Sequence, residues 1–121
     1  MKLPGPDHPI TIEPNPRRVI VRFAGQIIAD SRRTYTLREA DLPPVHYIPR
    51  ADVDMHLLRH STQHSYCPYK GDASYYSIDV GGTKAENAVW SYEKPYPAVA
   101  AIAGALAFYP NRVEAISEDA A

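Results

Sequence analysis

Twelve prolines and six glycines divide this 121-residue chain into short apolar runs, and they fall between the runs rather than inside them. Proline removes a ladder donor and glycine supplies turn conformations, so this punctuation predicts many short strands joined by turns. The expected class is therefore mainly β: antiparallel sheets of short strands with one or two short helices.

Local pattern places the first strands. Val19, Val21 and Phe23 alternate with Ile20 and Arg22, Ala24-Gly25 turns the chain, and Gln26 to Asp30 returns as a partner strand. A second hairpin is expected where Tyr75 to Val80 meets Gly81-Gly82-Thr83-Lys84 and then Asn87 to Tyr92. Tyr76, Ile78 and Val80 share one face of its first strand, and Ala88, Trp90 and Tyr92 are expected to share one face of the second. Leu106 to Tyr109 and Val113 to Ile116 flank Pro110-Asn111 and suggest a third pair. Ala51 to His60 carries Val53, Leu57 and Leu58 at helical spacing, which predicts a short helix with acidic residues in its first turn. Ala98 to Ala103 follows Pro95 and Pro97 and stops at Gly104, which predicts another.

The length fits one domain over residues 1–121, with a core over about 18–114 and loose termini at 1–9 and 117–121. A net charge of −1 gives no global reason to seek nucleic acid or an anionic membrane. The apolar run from Ala98 to Tyr109 is shorter than a membrane span, and the proline-rich start lacks the apolar stretch of a signal peptide. One cysteine, Cys67, permits neither an intrachain disulfide nor a cysteine-based zinc cluster, and the expected location is cytoplasmic.

Candidate chemistry concentrates in Tyr66-Cys67-Pro68-Tyr69-Lys70-Gly71, where a thiol, an amine and two phenols share a turn ahead of a strand. A nearby ammonium favours thiolate, or binds an anion as a point charge, so Cys67 and Lys70 are the candidate catalytic residues. The alternative is a buried thiol beside a solvated lysine. Ser31, Arg32 and Arg33 follow a hairpin strand and are suited to clamping an anion, although consecutive arginines in extended chain point to opposite faces. Prolines on both sides of Val45 to Ile48 hold that segment extended, with Tyr47 and Arg50 as its polar presenters. His56, His60 and His64 recur every four residues, but Ser61-Thr62 breaks the helix and no glutamate completes a zinc-protease pattern, so no metal site is assigned. Asp52 and Asp54, two apart on a helix, diverge by about 200° and do not converge on one ion.

Together, Ile28-Ala29-Asp30-Ser31-Arg32, the segment Pro44 to Val53, Cys67-Pro68-Tyr69-Lys70-Gly71, Asn87-Ala88-Val89-Trp90-Ser91-Tyr92 and Ile102-Ala103-Gly104 with Leu106-Ala107-Phe108-Tyr109 resemble the signature of domain of unknown function 427. The resemblance spans approximately Arg18 to Glu114 and implies a mainly antiparallel domain of the tent-like β type. Folds of that type often carry cysteine-bound zinc, a feature one cysteine cannot support here. The family also bears a nucleotidyltransferase-like label, for which no mechanism maps onto these residues.

The resulting expectation is a pocket between the sheet and the first helix, with Cys67 and Lys70 flanked by Ser31, Arg32, Tyr47, Arg50, Tyr69 and Trp90. Such a lining suits a small anionic or aromatic ligand, with no cofactor. The other classes are a nucleotidyltransferase-like enzyme and a homodimer pairing through an edge strand.

Overall fold

A computed structural model describes residues 1–119 of the chain. Ten strands follow in order: β1 (Ile10–Asn15), β2 (Val19–Phe23), β3 (Gln26–Ser31), β4 (Thr34–Glu39), β5 (Val45–Tyr47), β6 (Leu58–Cys67), β7 (Gly71–Val80), β8 (Thr83–Ser91), β9 (Ala107–Phe108) and β10 (Ala115–Glu118). They form three antiparallel sheets, in the orders β1-β4-β5, β10-β2-β3 and β6-β7-β8-β9. The fold is mainly β, as the proline and glycine punctuation requires.

The β2–β3 hairpin forms where expected, with Ala24 and Gly25 both at positive φ in its turn. β7 and β8 pair around Gly81-Gly82, again as expected, although both strands begin earlier than the pattern suggested. β8 departs from simple alternation because Ser77 of β7 faces a bulge around Asn87, which takes a positive φ and donates its backbone N–H to the Ser77 hydroxyl at 3.0 Å. That bulge removes Ala88 from the face of Trp90 and Tyr92, correcting the expected common face. Ala88 packs with Val89 in one core, Tyr92 in the other, with Trp90 packed against it.

The expected helix over Ala51 to His60 does not form. Two single 3₁₀ turns, Arg50–Asp52 and Met55–Leu57, are separated by Val53, in extended geometry, and Asp54. Val53 bridges Ala29, and the Asp54 N–H reaches the Ile28 carbonyl at 2.8 Å. Pairing with a neighbouring strand thus overrides a weak local helical spacing. His60 and His64 consequently lie in β6 on either side of a register shift, and among the described residues no three His, Cys, Asp or Glu side chains converge as metal ligands. The second expected helix is a 3₁₀ segment, Pro97–Ile102, interrupted at Val99.

The expected third hairpin is corrected as well: β9 pairs with β8 and β10 with β2, so the two segments join different sheets. The expected loose ends are partly tied. Lys2 donates its N–H to the Pro68 carbonyl at 2.7 Å, Gly5 bridges His8, and Ser117 and Glu118 belong to β10. Residues 120 and 121 of the expected C-terminal tail lie outside the described residues. No helix among the described residues is long and apolar enough to cross a membrane.

The four-stranded sheet divides two cores. Leu58, Tyr76, Ile78, Val89 and Phe108 face Val19, Val21, Ile28 and Ala29 of the β10-β2-β3 sheet. Ala73, Tyr92 and Ala107 face Leu37 and Tyr47 of the β1-β4-β5 sheet, with Val99 and Ile102 closing that side. A bridge between Ile48 and Leu106 ties β5 to the segment entering β9. The candidate site opens on the second of these cores.

Candidate functional site: a buried ion pair beneath an aromatic cavity

The turn Cys67 to Gly71 is shaped by its sequence. The Lys70 N–H closes onto the Cys67 carbonyl at 3.2 Å, and Gly71 follows at φ +105°, where any side chain is strained. The Lys70 carbonyl then accepts the Tyr96 N–H at 3.0 Å, fixing the turn against the segment before Val99. Lys70 is thereby folded inward instead of into solvent, and it is 8% exposed.

Its partner comes from the far sheet. Leu37 and Glu39 alternate onto the buried face of β4, so Glu39, 7% exposed, delivers a carboxylate to the Lys70 ammonium. The other carboxylate oxygen meets His8 Nε2 at 2.7 Å, and the His8 ring lies flat on Tyr69 with centroids 4.0 Å apart. Lys70 Nζ also stands 5.8 Å from the centre of the Tyr92 ring. Burial alone would push the Glu39 carboxyl up, but the hydrogen bonds from Lys70 and His8 outweigh it and hold it below the ordinary carboxylate range. The pair is thus ionised, with its charges opposed.

Above the pair lies a cavity of about 220 Å³. Glu39, Lys70 and the phenols of Tyr47, Tyr75, Tyr92 and Tyr109 form its polar side, while Leu37, Leu42, Pro43, Val45 and Trp90 form the rest. The Trp90 indole donates to the Tyr47 hydroxyl at 3.2 Å and leans on the Tyr109 ring at 4.4 Å. Tyr75 bonds Ser65 Oγ at 2.8 Å and reaches the Tyr109 hydroxyl at 3.5 Å. Three groups retain donor capacity: an ammonium has three N–H bonds, of which Glu39 takes one, and among the described residues neither the Tyr92 hydroxyl nor the Tyr47 hydroxyl, which accepts from Trp90, donates a hydrogen bond.

Burial pushes the Tyr47 and Tyr92 hydroxyls well above the ordinary tyrosine range, the hydrogen bond from Trp90 opposing this only in part for Tyr47. Tyr109 is pushed up to about 12, chiefly by burial and then by its contact with Tyr75. All three are neutral donors at physiological pH. An acid whose folded pKa is raised contributes stability that is complete below its unfolded value, here 10.0, and lost as pH rises beyond it. We expect denaturant midpoints to fall steeply above pH 10, and less steeply in Tyr92→Phe; equal slopes would contradict the burial of that phenol.

Of the residues singled out in the sequence, the structure brings Tyr47, Lys70 and Trp90 to this cavity. Tyr69 stands behind it, stacked on His8, and half-buried Cys67 packs against the adjoining core. Ser31, Arg32 and Arg50 lie elsewhere. Ser31 donates to Asp52 at 2.7 Å, and it is Arg33 that forks onto the same carboxylate with two 3.0 Å bonds, while Arg32 is exposed. Arg50 binds the Gly104 carbonyl and the Tyr76 hydroxyl, both at 3.2 Å, and covers the Tyr76 ring. These are ties between elements of the fold. Sequence reasoning missed Glu39, His8, Tyr75, Tyr92 and Tyr109 as members of the site. For Glu39 a signal existed, since it continues the inward alternation of Leu37.

Fold and site together define a class: a small, mainly antiparallel β domain with an ionised pair buried at the foot of a tyrosine-rich cavity. The family model described as Domain of unknown function (DUF427), labelled NTP_transf_9, matches residues 11–119, and the chain belongs to that family. A search among curated proteins finds no match.

Proposed function

We propose that the protein binds a small aromatic molecule carrying a hydrogen-bond acceptor in the cavity above Glu39 and Lys70. The observation that carries this reading is the pairing of spare donors, on Lys70 and Tyr92, with a wall of aromatic faces around one partly open cavity. Trp90 and the tyrosines supply flat apolar contact with a polar edge, and the donors set orientation. The volume is below the 300–1,000 Å³ of drug-sized sites, so the ligand is compact. Glu39 already neutralises Lys70, which favours a neutral acceptor such as a carbonyl or hydroxyl over a multiply charged phosphate.

Other features support binding over nucleotidyl transfer. Asp52 is occupied by Ser31 and Arg33, and Asp54 turns back to accept the His56 N–H, so neither is free to converge on a phosphate-bound ion. The outer edge strand β6 is polar from Arg59 to Ser65 and broken by a bulge, features that discourage pairing with a second copy.

The test is a thermal-shift and calorimetric comparison of phenol, benzyl alcohol and benzamide with inorganic phosphate. A ligand at 100 times its Kd adds about 2.7 kcal/mol, which moves the unfolding midpoint visibly. The aromatic probes should raise the midpoint and Tyr92→Phe should weaken them. Stabilisation by phosphate alone would overturn the reading.

A further inference from the structure

A second cavity, of about 510 Å³, adjoins the first. Leu42, Pro43, Val45 and Trp90 line both, so a single partition of side chains separates two parts of one depression. The chemistry of the two parts differs sharply. Where the first is edged by phenols and the ion pair, the second is walled by Val21, Ile48, Phe108 and Ile116 together with prolines, with His46 as its sole titratable side chain. Its far wall belongs to the β10-β2-β3 sheet, so the depression runs from one sheet to the next across the edge of β5. The rim segment from Asp41 to Pro44 is exposed and stiffened by its two prolines, and Leu42, 59% exposed, stands at the shared mouth.

An open apolar wall continuous with a polar, donor-bearing cavity calls for one occupant with two ends. We propose that the natural ligand is an amphiphile: a compact ring with an acceptor placed near Lys70 and Tyr92, bearing an aliphatic chain that passes Trp90 into the apolar cavity. The ring end rests on the function proposed above; the chain end rests on the second cavity. Apolar walls reward each methylene removed from water, and the second volume lies within the range of ordinary ligand sites. Leu42 at the mouth then covers the chain instead of facing water.

The experiment uses phenol and its 4-ethyl, 4-butyl and 4-hexyl derivatives as probes, below the concentrations at which they aggregate. Trp90 is the single tryptophan of the chain and borders both cavities, so its fluorescence reports occupation of either, with calorimetry for affinity. Affinity should climb roughly three- to fourfold per methylene through the series. Ile116→Phe, which fills the far wall, should stop the climb at a shorter chain and leave phenol itself unchanged. Tyr92→Phe should weaken every member by a similar factor. Phenol binding with no gain from the chain overturns the amphiphile and leaves the small-ligand reading intact, as does a climb that Ile116→Phe does not shorten. A climb to which Tyr92→Phe is indifferent overturns the ring placement, and with it the function proposed above. Binding by no member overturns both. Should Ile116→Phe lower the unfolding midpoint, the wild-type gradient alone decides.

Discussion

Replacing Lys70 with methionine is expected to destabilise the protein by about 3 kcal/mol, because it leaves the Glu39 carboxylate buried without its main partner. For a domain of this size that lowers the midpoint of thermal unfolding by roughly 10 °C. The loss arises from the stranded charge and not from lost packing, since methionine keeps most of the apolar stem beside Tyr92. Two consequences separate this account from a simple packing defect. Adding Glu39→Gln to Lys70→Met should restore most of the stability, because the double variant has no buried charge left to compensate. The pH dependence should also invert. In the wild type the Glu39 carboxyl is held below its ordinary value, so its contribution is present above about pH 4.5 and lost as pH falls through the lower folded value. Without Lys70 the burial that pushes this carboxyl up is opposed by His8 alone, so the gap between variant and wild type should narrow as the medium is acidified. Urea denaturation at pH 7 and pH 4 measures both effects. A gap of equal size at the two pH values would show that Glu39 is not the stranded group.

A comparable loss is expected from Ile78→Ala, for a different reason and with a different functional outcome. Ile78 is fully buried in the core shared by the four-stranded sheet and the β10-β2-β3 sheet, opposite Leu58 and beside the β7–β8 bulge. Truncating it removes apolar contacts and leaves a void, at a cost of about 3–4 kcal/mol, or roughly 10–15 °C in the unfolding midpoint. The residue lies on the opposite face of the sheet from Ala73, Tyr92 and the ion pair. The affinity of the aromatic probes should therefore be retained at temperatures where the variant is folded, whereas Lys70→Met should lose it. If both variants lost affinity equally, binding would be tracking global stability and not the cavity.

The contrast between these two positions reflects how much of each was legible in the chain. Ile78 could be placed on one strand face with Tyr76 and Val80 from alternation, and the turn after it from two adjacent glycines, which the structure holds at positive φ. The same local reading located Lys70 in a turn built by proline and glycine and gave Tyr47 and Trp90 as polar-aromatic positions. It went astray where a short segment had two local options. Val53, Leu57 and Leu58 fit a helical spacing, but the strand pairing of Val53 with Ala29 decided the matter. Leu106 to Tyr109 and Val113 to Ile116 fit a hairpin, but each found a better partner in a different sheet. Arg50, a natural anion clamp by residue type, was drawn to the Tyr76 ring and the Gly104 carbonyl, 54 residues away along the chain.

The sequence by itself determined the mainly-β class, the two glycine-turned hairpins and the turn that carries Lys70, because turn chemistry and side-chain alternation act over a few residues; that Lys70 points inward was decided by the bond from Tyr96. Only the tertiary structure decided that Glu39, 31 residues before Lys70, is its counter-charge, that His8 closes the other side of that carboxylate, and that four tyrosines meet over the pair. Those meetings depend on how three separate sheets pack, and a one-residue change of register in β4, β5 or β7 would turn Glu39, Tyr47 or Tyr75 to the opposite face.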